Sequence, residues 1–207
     1  MQLIAENLCV ERGSRTIIRD LSLVVASGDA IILSGANGAG KTTLLRALAG
    51  FLPPSSGIVR IDGGDTEKTV GEQAHFVGHA NAVKANLSVR ENVGFWARYL
   101  GGATENHARV ERALEHFGLR DLAEFPAAYL SAGQKRRVGL ARLLAVELPI
   151  WLLDEPTVSL DLASTGLLAK AIEHHVEAGG LAIIATHIPL GLQRSRELAL
   201  EPQGSAI

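Results

Sequence analysis

Short apolar runs separated by stretches of helical periodicity give this chain the pattern of an α/β domain with a largely buried sheet. Ala30 to Leu33, Ile150 to Leu153 and Leu181 to Ala185 are unbroken apolar runs, as expected of strands covered on both faces. Leu3 to Val10 and Ile17 to Val25 alternate apolar and polar positions around Arg12-Gly13-Ser14, which predicts two paired strands and a turn. Ile58 to Ile61, followed by Asp62-Gly63-Gly64, predicts another strand and turn. From Leu87 to Glu147 the period changes to that of helices, with candidates over Val89 to Leu100, Glu105 to Phe117 and Gln134 to Val146. A further helix, Leu162 to Ala178, separates the last two apolar runs. No repeat or long linker interrupts the pattern, so a single domain spanning 1–207 is expected, with a helical insertion over 81–147 between core segments 1–80 and 148–207.

The turn after the first buried run carries the strongest chemical signal. Gly35-Ala36-Asn37-Gly38-Ala39-Gly40-Lys41-Thr42 matches G-x-x-x-x-G-K-[ST] in full, and Thr43 follows. The next residues place Leu44, Leu45 and Leu48 on one helical face before Gly50 stops the helix. Glycines let successive backbone N–H groups point at phosphate oxygens, the helix N-terminus adds its positive end, and Lys41 supplies a full charge. Thr42 is left as a candidate ligand for Mg²⁺. Such a loop needs a metal-orienting acid, and Ile150-Trp151-Leu152-Leu153-Asp154-Glu155-Pro156 delivers two carboxylates at the end of a hydrophobic strand. Asp154 would serve the metal and Glu155 would polarise the attacking water. Leu130-Ser131-Ala132-Gly133-Gln134 stands between the two motifs; read locally, Ser131 and Gln134 form a capping box that starts a helix.

Bulk properties restrict the class of protein. Twenty Lys and Arg against 22 Asp and Glu give a formal charge of −2, so no basic excess points to nucleic acid. Cys9 is the only cysteine, which excludes an intrachain disulfide and fits a reducing compartment. No signal peptide is read at the start, and the longest apolar runs are too short or too charged to span a bilayer.

In this order the motifs acquire a joint meaning. The phosphate loop, Leu-Ser-Ala-Gly-Gln, Leu153-Asp154-Glu155-Pro156, Ser159-Leu160-Asp161 and Thr186-His187 together resemble the ATPase subunits of ABC transporters over essentially the whole chain. The resemblance implies a P-loop ATPase fold with an antiparallel β subdomain and an inserted helical signature subdomain, binding ATP and Mg²⁺. It implies that Gly35 to Thr43 bind ATP, that Glu155 and His187 are catalytic, and that Thr42 and Asp154 hold the metal. It also implies that Ser131, Gly133, Gln134 and Asp161 act at a site shared by two copies in an ATP-bound homodimer. Two positions depart from the pattern. The glutamine that the family places eight residues before Leu87-Ser88-Val89 is His79, which would coordinate metal or water through a ring nitrogen; the aromatic that stacks on adenine is replaced by Arg12, whose guanidinium plane can also stack. The other histidines, among them His107, His116, His174 and His175, are expected to be surface residues.

Leu-Ser-Ala-Gly-Gln, Lys135-Arg136-Arg137-Val138, Trp151, Gly78-His79 and Thr186-His187-Ile188-Pro189-Leu190 bring the chain nearest to the ATP-binding subunits of bacterial cytochrome c maturation, or haem exporter, systems. That resemblance implies a peripheral subunit on the cytoplasmic face of the inner membrane, working with integral membrane transporter subunits. Its ATP hydrolysis would drive release of a haem-loaded chaperone. The alternatives are the ATPase of an exporter for another cargo and, from a different class, a non-transport ABC ATPase.

Overall fold

The computed structural model describes residues 1–101 and 107–201. Along the chain lie β1 (Gln2–Arg12), β2 (Arg15–Ala26), β3 (Ala30–Ser34), α1 (Lys41–Leu48), β4 (Ser56–Asp62) and β5 (Ala74–Val77). The helices α2 (Val89–Gly101), α3 (His107–His116) and α4 (Ala132–Ala145) follow, then β6 (Ile150–Asp154), α5 (Leu162–Glu177), β7 (Leu181–Ala185) and β8 (Arg196–Ala199). The helix expected from Glu105 begins, as described, at His107; Glu105 and Asn106 lie outside the described residues.

Two sheets form. In the antiparallel one, β1 is central between β2 and β4, and the hairpin closes where Arg12 pairs with Arg15. The other is parallel, in the order β5-β6-β7-β3-β8. The apolar runs of β3, β6 and β7 are unbroken because each of these strands feeds two cores. Ile150 and Leu152 of β6, with Leu181 and Ile183 of β7, face α1 and the antiparallel sheet. Trp151 and Leu153, with Ala182 and Ile184, face the helical side. Successive side chains of a strand point to opposite faces, so a strand with helices on one side and a sheet on the other has no position left for a polar residue. Full burial of one Leu or Ile contributes about 1.5–3 kcal/mol, and Leu152 and Ile183 have no exposed surface.

The helices α2, α3 and α4 share a core of Val89, Val93, Val110, Leu114, Phe117 and Val138, which runs without a break onto the second face of the parallel sheet. Arg142 pins this layer: its guanidinium lies 4.6 Å from the Trp96 ring and donates to the Phe76 carbonyl. Desolvation by burial lowers its pKa to about 10.

Two histidines expected at the surface are drawn inward. The ring of His175 stacks on Trp151 with centroids 4.0 Å apart, and His116 Nε2 lies 2.9 Å from the Leu167 carbonyl. Both occur where a helix packs on its neighbour, and a flat ring with one polar edge fills such a seam when a carbonyl is in reach.

Candidate active site

Four neighbouring strands end at one place. The phosphate loop leaves β3, His187 follows β7, Asp154 closes β6, and Gly78-His79 follow β5. The register pairs Asp154 with Ala185 and Leu33 also with Ala185, so the three central strands finish level. In open α/β sheets, ligands bind at the carboxyl ends of the strands.

Gly40 is the N-cap of α1 with φ 101°, a backbone region glycine enters without cost. A Cβ there would lie 2.9 Å from Ile18 Cδ1, because β2 crosses over the loop. Lys41, 8% exposed, folds its ammonium back into the loop, donating to the Gly35 carbonyl at 2.6 Å and the Ala36 carbonyl at 3.2 Å. The loop is thereby held round a positive charge, with the start of α1 behind it.

Thr42 is exposed, and its hydroxyl donates to Asp154 Oδ1 at 3.0 Å. Asp154 itself is 5% exposed. Beside it the chain turns sharply: Glu155 has φ 46°, and its N–H donates to the Ala185 carbonyl at 2.8 Å. This left-handed turn, costly for a non-glycine residue, places the Glu155 carboxylate 3.4 Å from His187 Nε2. The same nitrogen is 3.3 Å from Lys41 Nζ and 3.2 Å from Asn37 Oδ1. It can accept from the ammonium or, protonated, donate to the two oxygens. Behind it, Thr157 and Thr186 join through their hydroxyls at 3.0 Å, fixing the turns that carry Glu155 and His187.

The sequence-assigned residues Gly35 to Thr43, Asp154, Glu155 and His187 thus converge. The others stand apart. Ser131 and Gln134 form the capping box of α4, the Ser131 hydroxyl accepting from Gln134 N–H and the Gln134 amide accepting from Ser131 N–H. Gly133 lies against the next motif, since a Cβ there would be 2.8 Å from the Ser159 carbonyl. Asp161 caps α5, accepting from Ser164 N–H at 2.7 Å; hydrogen bonding with the Ser164 side chain first, and with its backbone second, holds the carboxyl below the usual range. Arg12 is exposed at the end of β1, and His79 is exposed on the turn after β5. Among the described residues no hydrogen bond or ion pair joins Arg12, His79, Ser131 or Gln134 to Lys41, Glu155 and His187.

One residue at the site was not singled out from sequence. Arg136, 2% exposed, donates from Nε to the Pro156 carbonyl at 2.9 Å and from Nη2 to the Glu155 carbonyl at 2.7 Å. Its Nη1 reaches the Gly78 carbonyl at 2.9 Å and Asn81 Oδ1 at 3.1 Å. The signal was its phase: Arg136, Leu140 and Leu143 lie on one buried stripe of α4, and a cation on an apolar stripe needs several acceptors.

Hard oxygen donors standing together, as Thr42 and Asp154 do, suit Mg²⁺, which takes one or two protein oxygens and fills its shell with water and phosphate. Among the described residues no three His, Cys, Asp or Glu side chains group to hold a metal by themselves.

The likeness to known proteins runs over most of the chain. The family model described as ABC transporter matches residues 18–158. Over 200 residues the chain is 47% identical to the cytochrome c biogenesis ATP-binding export protein CcmA of Rhodopseudomonas palustris, a match covering 97% of this chain and 98% of that protein. A protein of the same description from Rhizobium meliloti is 44% identical over 202 residues. A solved ATP-binding subunit of an ABC transporter superposes with a TM-score of 0.86, covering 99% of this chain and 89% of that one at 23% identity, a likeness of fold. By its motifs, its strand order and these relatives, the chain belongs to the ABC transporter family of ATP-binding proteins.

Proposed function

We propose that this chain is the ATP-hydrolysing subunit of an ABC transporter assembly that handles haem in c-type cytochrome biogenesis, its turnover driving release of a haem-loaded chaperone. The observation that carries the hydrolytic part is the meeting of Lys41, Glu155 and His187 within 3.4 Å of one imidazole nitrogen, beside the Thr42–Asp154 pair. The pathway rests on relatives named for cytochrome c biogenesis and export.

In this reading the N–H groups of Gly35 to Thr43 cradle the ATP phosphates, and Lys41 leaves its loop carbonyls for the β- and γ-phosphate oxygens. Thr42 and Asp154 would hold Mg²⁺, which would supply positive charge against that developing on the phosphates. Glu155 accepts a hydrogen bond from the attacking water and orients it in line with the γ-phosphate. His187 gives up the Lys41 contact and donates to the γ-phosphate. Arg12 would stack on adenine, and His79 would serve the metal site through a ring nitrogen.

Ser131, Gly133 and Gln134 lie on the helical side, held by their own capping contacts. One copy of each motif per chain therefore leads to a head-to-tail homodimer, in which these residues and Asp161 complete the site of the second copy. Within each chain, 81–147 acts as a helical insertion on a core of 1–80 and 148–207. The region that begins near His79 and includes Val83 to Arg98 docks on an integral membrane subunit at the cytoplasmic face of the inner membrane. No described helix is long and apolar enough to cross a membrane, and the exposed Tyr99, stacked on Phe95, gives α2 an aromatic outer face. The test is reconstitution: ATP turnover by the chain with its membrane partners should depend on Glu155, and c-type cytochrome assembly should fail in cells carrying Glu155→Gln. Normal assembly with inactive ATPase would break the link to this pathway.

A further inference from the structure

We propose that Arg136 is a positioning residue for hydrolysis, clamping the turn that carries Glu155 to the turn that carries His79 so that the Glu155 carboxylate keeps its place at the nucleotide. The proposal rests on the assignment of Glu155 to the attacking water.

The geometry is that of a clamp rather than an ion pair. Every partner of the buried guanidinium is a carbonyl or amide oxygen: Glu155 and Pro156 on one side, Gly78 and Asn81 on the other, and the Asp154 carbonyl at 3.4 Å. A planar fork with fixed donor directions can bind two loops at once, which a lysine ammonium at one point cannot. Glu155 needs such support. Its φ of 46° is unfavourable for a residue with a side chain, and Arg136 holds the carbonyls at and after that residue, while Ala185 holds its N–H. One turn further along α4, Gly139 presses on the same partner, since a Cβ there would stand 2.8 Å from the Asn81 carbonyl. The helix that opens with Ser131 is therefore seated on the Gly78–Asn81 turn by a close backbone contact and by the clamp together. A shift of α4 or of that turn has no route to relax that leaves the Glu155 backbone untouched.

The experiment compares Arg136→Lys, Asn81→Leu, Glu155→Gln and the double variant Arg136→Lys/Glu155→Gln. Affinity is read with a fluorescent ATP analogue, chemistry by single-turnover hydrolysis, and folding by thermal melting. A misplaced catalytic group costs up to about 100-fold, so Arg136→Lys should lose about 10- to 100-fold in the hydrolysis rate with analogue affinity within about threefold. Asn81→Leu, which leaves the buried cation in place, should lose less in the same direction. In the Glu155→Gln background the Arg136 substitution should cost almost nothing, because a residue acting through the carboxylate has nothing left to position. Equal losses in both backgrounds, or hydrolysis by Arg136→Lys within twofold of the parent, overturn the proposal. Parent-like hydrolysis by Glu155→Gln overturns the assignment of Glu155, and this proposal with it. Loss in Glu155→Gln without loss in Arg136→Lys removes the clamp alone.

Discussion

The hydroxyl of Thr42 donates to Oδ1 of Asp154 at 3.0 Å although 112 residues separate them. The bond spans the sheet from the end of β3 to the end of β6, past β7, and ties the phosphate loop to the acidic strand. It also sets two oxygens where one cation can touch both.

Removing the hydroxyl should therefore weaken the cation rather than the fold. Thr42→Val keeps the branched shape but removes one of the two protein oxygens that a cation would touch. The Mg²⁺ concentration for half-maximal hydrolysis should rise about tenfold, measured by titration at saturating ATP. An unchanged Mg²⁺ requirement would remove Thr42 from the metal site.

Glu155→Gln preserves the shape of the side chain at its strained turn while deleting the charge. Hydrolysis should fall by about 10²–10⁴-fold, with ATP still bound and the dimer held together long enough to see by size-exclusion chromatography. Turnover within twofold of the parent would show that another group orients the water.

Ser131→Arg tests the shared site. Ser131 is exposed, and among the described residues its side chain bonds to its capping partner Gln134, so ATP affinity of the isolated chain should stay within about threefold while hydrolysis disappears; its capping loss costs about 1 kcal/mol of stability. Sustained turnover in that variant would sink the head-to-tail arrangement.

The docking face makes a cellular prediction. Tyr99, 71% exposed and next to Arg98 on the outer face of α2, has no role at the nucleotide, and Tyr99→Glu should reduce recovery of the chain with membranes when the membrane subunits are co-expressed, leaving basal ATPase intact. Unchanged recovery would move the docking face elsewhere.

Acid should loosen the fold through a buried ring. Desolvation holds His75 at about 4 against an ordinary 6.5, so the folded chain keeps it neutral while the unfolded chain takes a proton below pH 6.5. The stability is present above pH 6.5 and is lost as pH falls toward 4, amounting to about 2 kcal/mol between pH 7 and pH 5. His175, likewise held at about 4 by burial, adds to the loss in the same window. His75→Gln keeps a donor near the Val146 carbonyl, which His75 Nε2 approaches at 2.9 Å, but cannot titrate. Denaturant unfolding at the two pH values should show a smaller difference in that variant; an equal difference would mean that His75 opens to solvent before the chain unfolds.

The sequence was most readable where burial was complete. β3, β6 and β7 announce themselves because both faces are covered, and α1 because Leu44, Leu45 and Leu48 keep one phase before Gly50. β5 stayed hidden: four residues long, with His75 in its middle, it offers too little apolar length to separate strand from turn. β8 is an edge strand, its Arg196 and Glu197 exposed, and its pattern is that of a loop. In the site, residues whose work is done by side-chain type, such as Lys41, Asp154 and Glu155, were legible from their motifs. Arg136 was not, because in the run Lys135-Arg136-Arg137 the three cations look alike. The fold sends Lys135 to the Ala128 carbonyl, Arg137 to that of Phe117, and Arg136 inward.

The strands β5 and β6 are parallel neighbours, with Ala74 opposite Ile150 and Val77 opposite Leu153, so the whole helical segment is the crossover that any such pair requires. A crossover can lengthen without disturbing the sheet it serves, which frees this one to become a handle. Its root is the turn at Gly78 and His79, at the nucleotide end of β5, and its return enters β6 from the opposite end. A pull exerted on the handle by a partner therefore arrives at the nucleotide end of the sheet, through the Gly78–His79 root and through Arg136 to the Glu155 turn.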